Sequence, residues 1–123
     1  MTPVRMAKVE EAARIGLAWH AALARTDAAA LLALLAENCV WESASPAPRG
    51  TRLAGRAAIA GYLQTWLHVE TQRTWQVEEV TGFGRQCVVY WRQQASAEDY
   101  RRGADVFEVR DGLICGIKSY VKG

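Results

Sequence analysis

Few side chains in this sequence have both the chemistry and the surroundings for acid–base work, and Asp105 stands first among them. Residues 101–109 read as a strand, in which side chains alternate with period 2, so Asp105 shares a face with Gly103, Phe107 and Val109. Such a face is apolar enough to pack under other elements. Burial disfavours the charged form of a carboxyl. A neutral carboxyl can donate a hydrogen bond to a carbonyl oxygen, and one that gains and loses its proton can act as general acid and base in turn. The plain alternative is a structural ion pair with Arg101 or Arg92. By the same alternation Ser43 sits with Trp41 and Cys39, and Trp91 with Cys87 and Val89, while Glu42 points the other way, to a surface or an interface.

Two histidines add to this set. His20 follows Trp19 in a helical stretch, about 100° round the axis from it, where it could reach a cavity rim and serve as a second base; otherwise it is a half-exposed helix residue. His68 falls near a helix end, where a positive charge is favoured. Five tryptophans are either ordinary core or a stacking surface for a flat aromatic ligand. Cys39, Cys87 and Cys115 lack the spacing of a metal site. They lie in strand-like segments and read as small buried hydrophobes in a reducing compartment. Arg49, Arg52 and Arg56 surround a glycine-containing loop and could attract a carboxylate, but the plainer reading of such a cluster is a solvated loop.

The elements that must position these groups are visible in the composition. Of 21 alanines, 18 lie in residues 1–60, whereas Val, Ile, Thr, Phe, Tyr and Trp number 10 in that half and 23 in the rest. Alanine is the best helix former, and β-branched and aromatic residues suit a pleated surface. Helices therefore come first and sheet second, which is the α+β class. A first helix starts with Thr2 as N-cap and Pro3 at its first position and ends near Arg25. Thr26 and Asp27 are both good N-caps for a second, Ala28–Ala36, with Leu31, Leu34 and Leu35 inward. Cys39–Ser43 is a strand, Ser45–Gly50 a loop, and a third helix runs from Arg56 to about His68 with Ile59, Leu63, Trp66 and Leu67 inward. Strands follow at Thr74–Phe83, Gln86–Gln94, Arg101–Val109 and Leu113–Val121, and Asp111-Gly112 is a strong hairpin signal. The predicted order is ααβαββββ.

The 123 residues make a single domain, 1–123, able to bury a core without staples. Net charge is +2 and evenly spread, with seven basic against five acidic residues in 1–60 and eight of each thereafter. No basic run marks a nucleic-acid binder, and no stretch of about 20 uncharged residues marks a membrane span. The N-terminal stretch has no apolar signal-peptide core, which places the chain in the cytoplasm.

Several motifs together resemble a known family. They are Trp19-His20-Ala21-Ala22-Leu23, Asp27, Leu31–Leu35, Ala36-Glu37-Asn38-Cys39-Val40-Trp41-Glu42, Leu53-Ala54-Gly55-Arg56-Ala57-Ala58-Ile59, and the run from Asp105 to Ile114. The chain resembles the SnoaL-like polyketide cyclases of the nuclear-transport-factor-2-like superfamily, which also holds the ketosteroid isomerases. The resemblance implies a cone-shaped α+β barrel: a strongly curved antiparallel sheet wrapped around helices, a cavity open at one end, and a homodimer formed through the outer sheet face. It implies a lining of Trp19, Trp41, Leu63, Trp66, Trp91, Phe107, Ile117 and Val121, with Ser43 and Asp105 among them.

Carried over by position, Trp19 stands where ketosteroid isomerases have a hydrogen-bonding tyrosine, Ser43 where they have the proton-shuttling aspartate, and Asp105 where they have a neutral aspartate donor. A serine hydroxyl is a poor base near neutral pH. The acid set of the superfamily's epoxide hydrolases is not matched either, since Lys118-Ser119-Tyr120 stands where an acid is needed. A single acid in an apolar cavity is the simpler pattern of the cyclases. The expectation is a cofactor-free, metal-free acid–base enzyme, cyclase- or isomerase-like, acting on a hydrophobic carbonyl compound through Asp105 and His20. The alternatives are a non-catalytic protein that binds a hydrophobic or aromatic ligand, and a dimerisation module.

Overall fold

The turn between the first two helices sets the direction of the chain. In the computed structural model, which describes residues 3–70 and 73–122, α1 spans Pro3–Ala24. The expected cap at Thr2 lies outside the described residues. Helix α1 ends with Thr26 at φ 52°, the Thr26 N–H on Leu23 O and the Asp27 N–H on Ala22 O, a pair of bonds that satisfies its last carbonyls. The Asp27 carboxylate then accepts from the Ala30 N–H at 3.0 Å and caps α2, Ala28–Ala33. Helix α2 is shorter than the sequence pattern suggests because Leu35 already belongs to β1, Leu35–Ser43, and the Leu34 carbonyl accepts from the Ile114 N–H. A short strand that the pattern does not reveal, β2 at Thr51–Ala54, pairs antiparallel with β1. Helix α3 spans Arg56–Glu70.

The remaining strands follow the expected bounds closely: β3 Thr74–Phe83, β4 Gln86–Gln94, β5 Tyr100–Arg110 and β6 Leu113–Val121. The sheet order is β2-β1-β6-β5-β4-β3. It is mixed rather than wholly antiparallel, because β1 and β6 run parallel. It also does not close on itself, since β2 and β3 are its two edges. Register irregularities between Leu35 and Val40, Val77 and Glu79, and Glu108 and Val109 break the ladder, and an inserted residue of that kind bends a strand and raises its twist. The result is the α+β cone.

The concave side packs on the helices. Cys87, Val89, Phe107, Val109, Ile114 and Ile117 of the sheet meet Ala12, Ile15, Trp19, Ala22 and Leu23 of α1 in one buried core. Gly16 sets the distance between them: a Cβ there would lie 2.6 Å from Cys87 Sγ and 3.1 Å from Val89 Cγ2, so only glycine lets α1 sit this close to β4. No described helix is long and apolar enough to cross a membrane.

Candidate functional site

All five tryptophans converge on one cavity of about 350 Å³, at the small end of the roughly 300–1,000 Å³ typical of small-molecule sites. It opens between α1, α3, the concave face of β4–β6 and the loop after β1. The rings form an unbroken belt in the order Trp19, Trp41, Trp66, Trp75 and Trp91, with successive centroids 5.7, 5.4, 6.0 and 5.0 Å apart. Most of these contacts are edge-on, the arrangement the aromatic quadrupole favours. Such a belt gives the cavity a largely aromatic lining.

The expected residues divide into those at the cavity and those beneath it. Trp19, Trp41, Ser43, Trp66, Trp91, Asp105 and Val121 line it. Leu63, Phe107 and Ile117 do not: each is at most 1% exposed and belongs to the core. Phe107 and Ile117 are cross-strand partners one inner-face row deeper than Asp105, and Trp19, edge-on to Phe107 at 6.3 Å, closes the floor above them. Ser119, Gln93, Trp75, Arg101 and Lys122 also line the cavity. Ser119 and Gln93 were available from alternation, since they share faces with Ile117 and with Trp91. Trp75 was not, because the irregularity at Glu78 breaks the phase of β3.

His20 is not at the rim. It is 2% exposed and places Nε2 2.8 Å from Asp105 Oδ2. The hydrogen-bond partner of Asp105 is therefore His20. The imidazole lies edge-on between Trp75 at 6.0 Å and Phe107 at 6.1 Å, and its Nδ1 has no hydrogen-bond partner. A buried N–H without an acceptor is rarer and costlier than a buried lone pair, so the proton belongs on Nε2 and is donated to the carboxylate. In that tautomer Asp105 Oδ2 is the acceptor of the bond. His20 fixes Oδ2 and leaves Oδ1 outside that contact.

The neighbouring hydroxyls are also positioned. Trp41 Nε1 donates to Ser119 Oγ at 3.0 Å, and Ser119 is the cross-strand partner of Asp105. Ser43 Oγ lies 3.1 Å from the Tyr62 hydroxyl and accepts from the Ser45 N–H at 3.3 Å. The two buried thiols, Cys39 and Cys87, are inert by comparison. Burial pushes Cys39 up to about 12 and Cys87 up to about 11, the latter raised further by the nearby Asp105 carboxylate, and Cys87 donates to Ala12 O. Among the described residues no group of three His, Cys, Asp or Glu side chains could hold a metal.

With this geometry in view, the relationships of the chain are clear. Residues 17–117 match the SnoaL-like domain, and the chain belongs to that family. It is similar to a nuclear-transport-factor-2-like protein of unknown function from Mesorhizobium loti, at 34% identity, 94% coverage of both chains and a TM-score of 0.79. A proposed ketosteroid isomerase from Kribbella flavida superposes with a TM-score of 0.79 at 19% identity, over 94% of this chain and 80% of that one. A proposed polyketide cyclase from Sinorhizobium meliloti does so with a TM-score of 0.70 at 21% identity, over 87% and 94%. At those identities the last two share the fold with this chain. No curated protein matches it.

Proposed function

We propose that the chain is a cofactor-free acid–base enzyme, of the isomerase or cyclase type, that moves a proton next to the carbonyl of a small, flat, apolar compound. The observation that carries this reading is the buried His20–Asp105 pair, whose carboxylate lines a cavity walled by tryptophan. A carboxylate out of bulk water and fixed at one oxygen has its other oxygen ready as a general base. It takes a proton from the carbon next to a carbonyl, the electron pair of that C–H bond becomes the C=C bond of an enolate while the C=O π pair moves onto oxygen, and the protonated carboxyl returns the proton to the same or another carbon. Positioned proton transfer of this kind accounts for about 10²–10⁴-fold in rate. His20 does not touch the substrate; it holds the carboxylate in place.

The test is hydrogen–deuterium exchange at the α-carbon of 2-tetralone in D₂O, followed by NMR. Exchange should exceed the buffer rate, and Asp105→Asn should return it to that rate, a loss of about 10²-fold or more. A wild-type rate equal to buffer, or an Asp105→Asn rate equal to wild type, overturns the reading. One feature supports the binding-only alternative: the Ser43 hydroxyl is engaged with Tyr62 and the Ser45 amide and adds no second base. A measurable affinity for 2-tetralone without exchange would be its signature.

The partner proposed for the convex sheet face is a second copy of the chain. Tyr90, Ala104 and Tyr120 form one row across β4, β5 and β6, flanked by Val88 and Val106, and both tyrosines are exposed.

A further inference from the structure

We propose that the indole N–H of Trp91 is the donor that receives the ligand's oxygen, so that the site selects flat compounds carrying a carbonyl acceptor near their acidic C–H. The inference rests on the reading of Asp105 as base and adds the group that recognises the other end of the reacting unit. Trp91 is 4% exposed, lines the cavity, and has its Nε1 atom buried without a hydrogen-bond partner. Folded proteins rarely leave a buried N–H unpaired, and each exception calls for an explanation. Indole nitrogen only donates, so the missing partner must be an acceptor. Trp41 shows the satisfied case in the same cavity, with its Nε1 donating to Ser119 Oγ. Trp19, which the family resemblance puts forward as the donor, packs its ring edge-on against Trp41 and Phe107.

The backbone holds the Trp91 ring where this role needs it. Trp91 is paired with Gly103 on β5, and a Cβ at Gly103 would lie 2.4 Å from Trp91 Cζ2 and 2.3 Å from Tyr120 O. Glycine therefore leaves the space the indole occupies above β5. Asp105 is two residues further along that strand, on the same face. Diagonal neighbours of this kind are about 7–8 Å apart at the backbone. Side chains reaching inward from that separation can hold a carbonyl oxygen and its adjacent C–H between them. The other orphaned ring nitrogen, His20 Nδ1, lies behind Asp105 and outside the cavity lining.

The experiment compares 1-tetralone with tetralin, the same two-ring frame with and without the oxygen, by isothermal titration calorimetry. Wild type should prefer the ketone by about tenfold, the scale of one hydrogen bond. Trp91→Phe, which keeps an aromatic ring and removes the N–H, should reduce the ketone-over-tetralin preference to within about twofold, whatever the smaller ring does to the affinity for both probes. Trp19→Phe should keep the preference. Equal affinity of wild type for the two probes, or a preference that survives Trp91→Phe, overturns the proposal. A second measurement does not depend on the variant folding: among the indole ¹⁵N–¹H resonances of wild type, that of Trp91 should move downfield with tetralone and not with tetralin, and movement of a different indole in its place also overturns the proposal. Both readouts are of binding, so they can succeed where proton exchange fails, and the reverse.

Discussion

The two faces of the sheet carry aromatic residues of different kinds. All five tryptophans line the cavity on the concave side, while Tyr90, Tyr100 and Tyr120 stand on the convex side, each more than a third exposed. The charged pairs differ in the same way. On the concave face His20 and Asp105 meet at 2.8 Å out of solvent. On the convex face Arg102 makes a bidentate bond to Glu78 from β5 to β3, and its hydrogen bonds hold the Glu78 carboxyl below the usual range. The convex pair is bathed in water, where such contacts are screened and contribute little. The concave pair is buried, so losing one partner leaves the other without its hydrogen bond in a poorly solvated place. Thus a single sheet supports two environments in which the same chemistry has different consequences.

The largest effect expected of that difference is in packing. Phe107→Ala should lower unfolding free energy by about 3–5 kcal/mol in urea titrations, because Phe107 is fully buried against Trp19 and Ile117. Tyr120→Ala should change it by no more than about 0.5 kcal/mol and should appear instead in sedimentation, by weakening the proposed self-association. Equal losses at the two sites would erase the distinction between the faces.

A smaller contrast is one of sign. Gly16→Ala gains up to about 1 kcal/mol of helix propensity, but its Cβ meets Cys87 Sγ at 2.6 Å, and overpacking of that kind costs about 1–3 kcal/mol. A net loss is expected. Gly61, on the exposed side of α3, has nothing within 4 Å of where an added methyl group would sit, so Gly61→Ala should gain up to about 1 kcal/mol. Thermal melts of the two variants should move in opposite directions.

The smallest contrast is kinetic. At pH 8 a thiol at about 12 or about 11, as at Cys39 and Cys87, is ionised to roughly one part in 10⁴ or 10³, and both are enclosed. Cys115 is also raised by burial, but it is only half-buried. Disulfide-exchange reagents should therefore label Cys115 in the native chain, and Cys39 and Cys87 only on unfolding, with every rate rising with pH as thiolate forms. Rapid native labelling of Cys87 would mean that α1 does not seal the core.

Local periodicity carries much of this architecture and little of its long-range pairing. Alternation alone places Asp105, Phe107 and Val109 on one face of β5, and Asp111-Gly112 marks the hairpin that aligns β5 with β6. The partner of Asp105 lies 85 positions away on a helix, and helix phase gives only an angle, not the strand it will meet. The parallel pairing of β1 with β6 has no local signature. Strand β2 has only four residues between a loop and a helix, too few for a period to show. In β3 the irregularity after Val77 puts Trp75 and Val80 on one face although they are an odd number of positions apart, which defeats simple alternation.

The parallel pairing also has a consequence in time. Strand β6 lies between β1 and β5 at the centre of the sheet, yet it is later in the chain than every element it joins. During synthesis at roughly 5–20 residues per second, Trp41 and its strand wait for several seconds before Ile117 reaches the ribosome exit. The half-cone made by the helices and β1 must keep an unpaired apolar edge until then. Pairings this far apart in sequence also form slowly. The interval before β6 inserts is when a nascent chain of this fold most needs a chaperone.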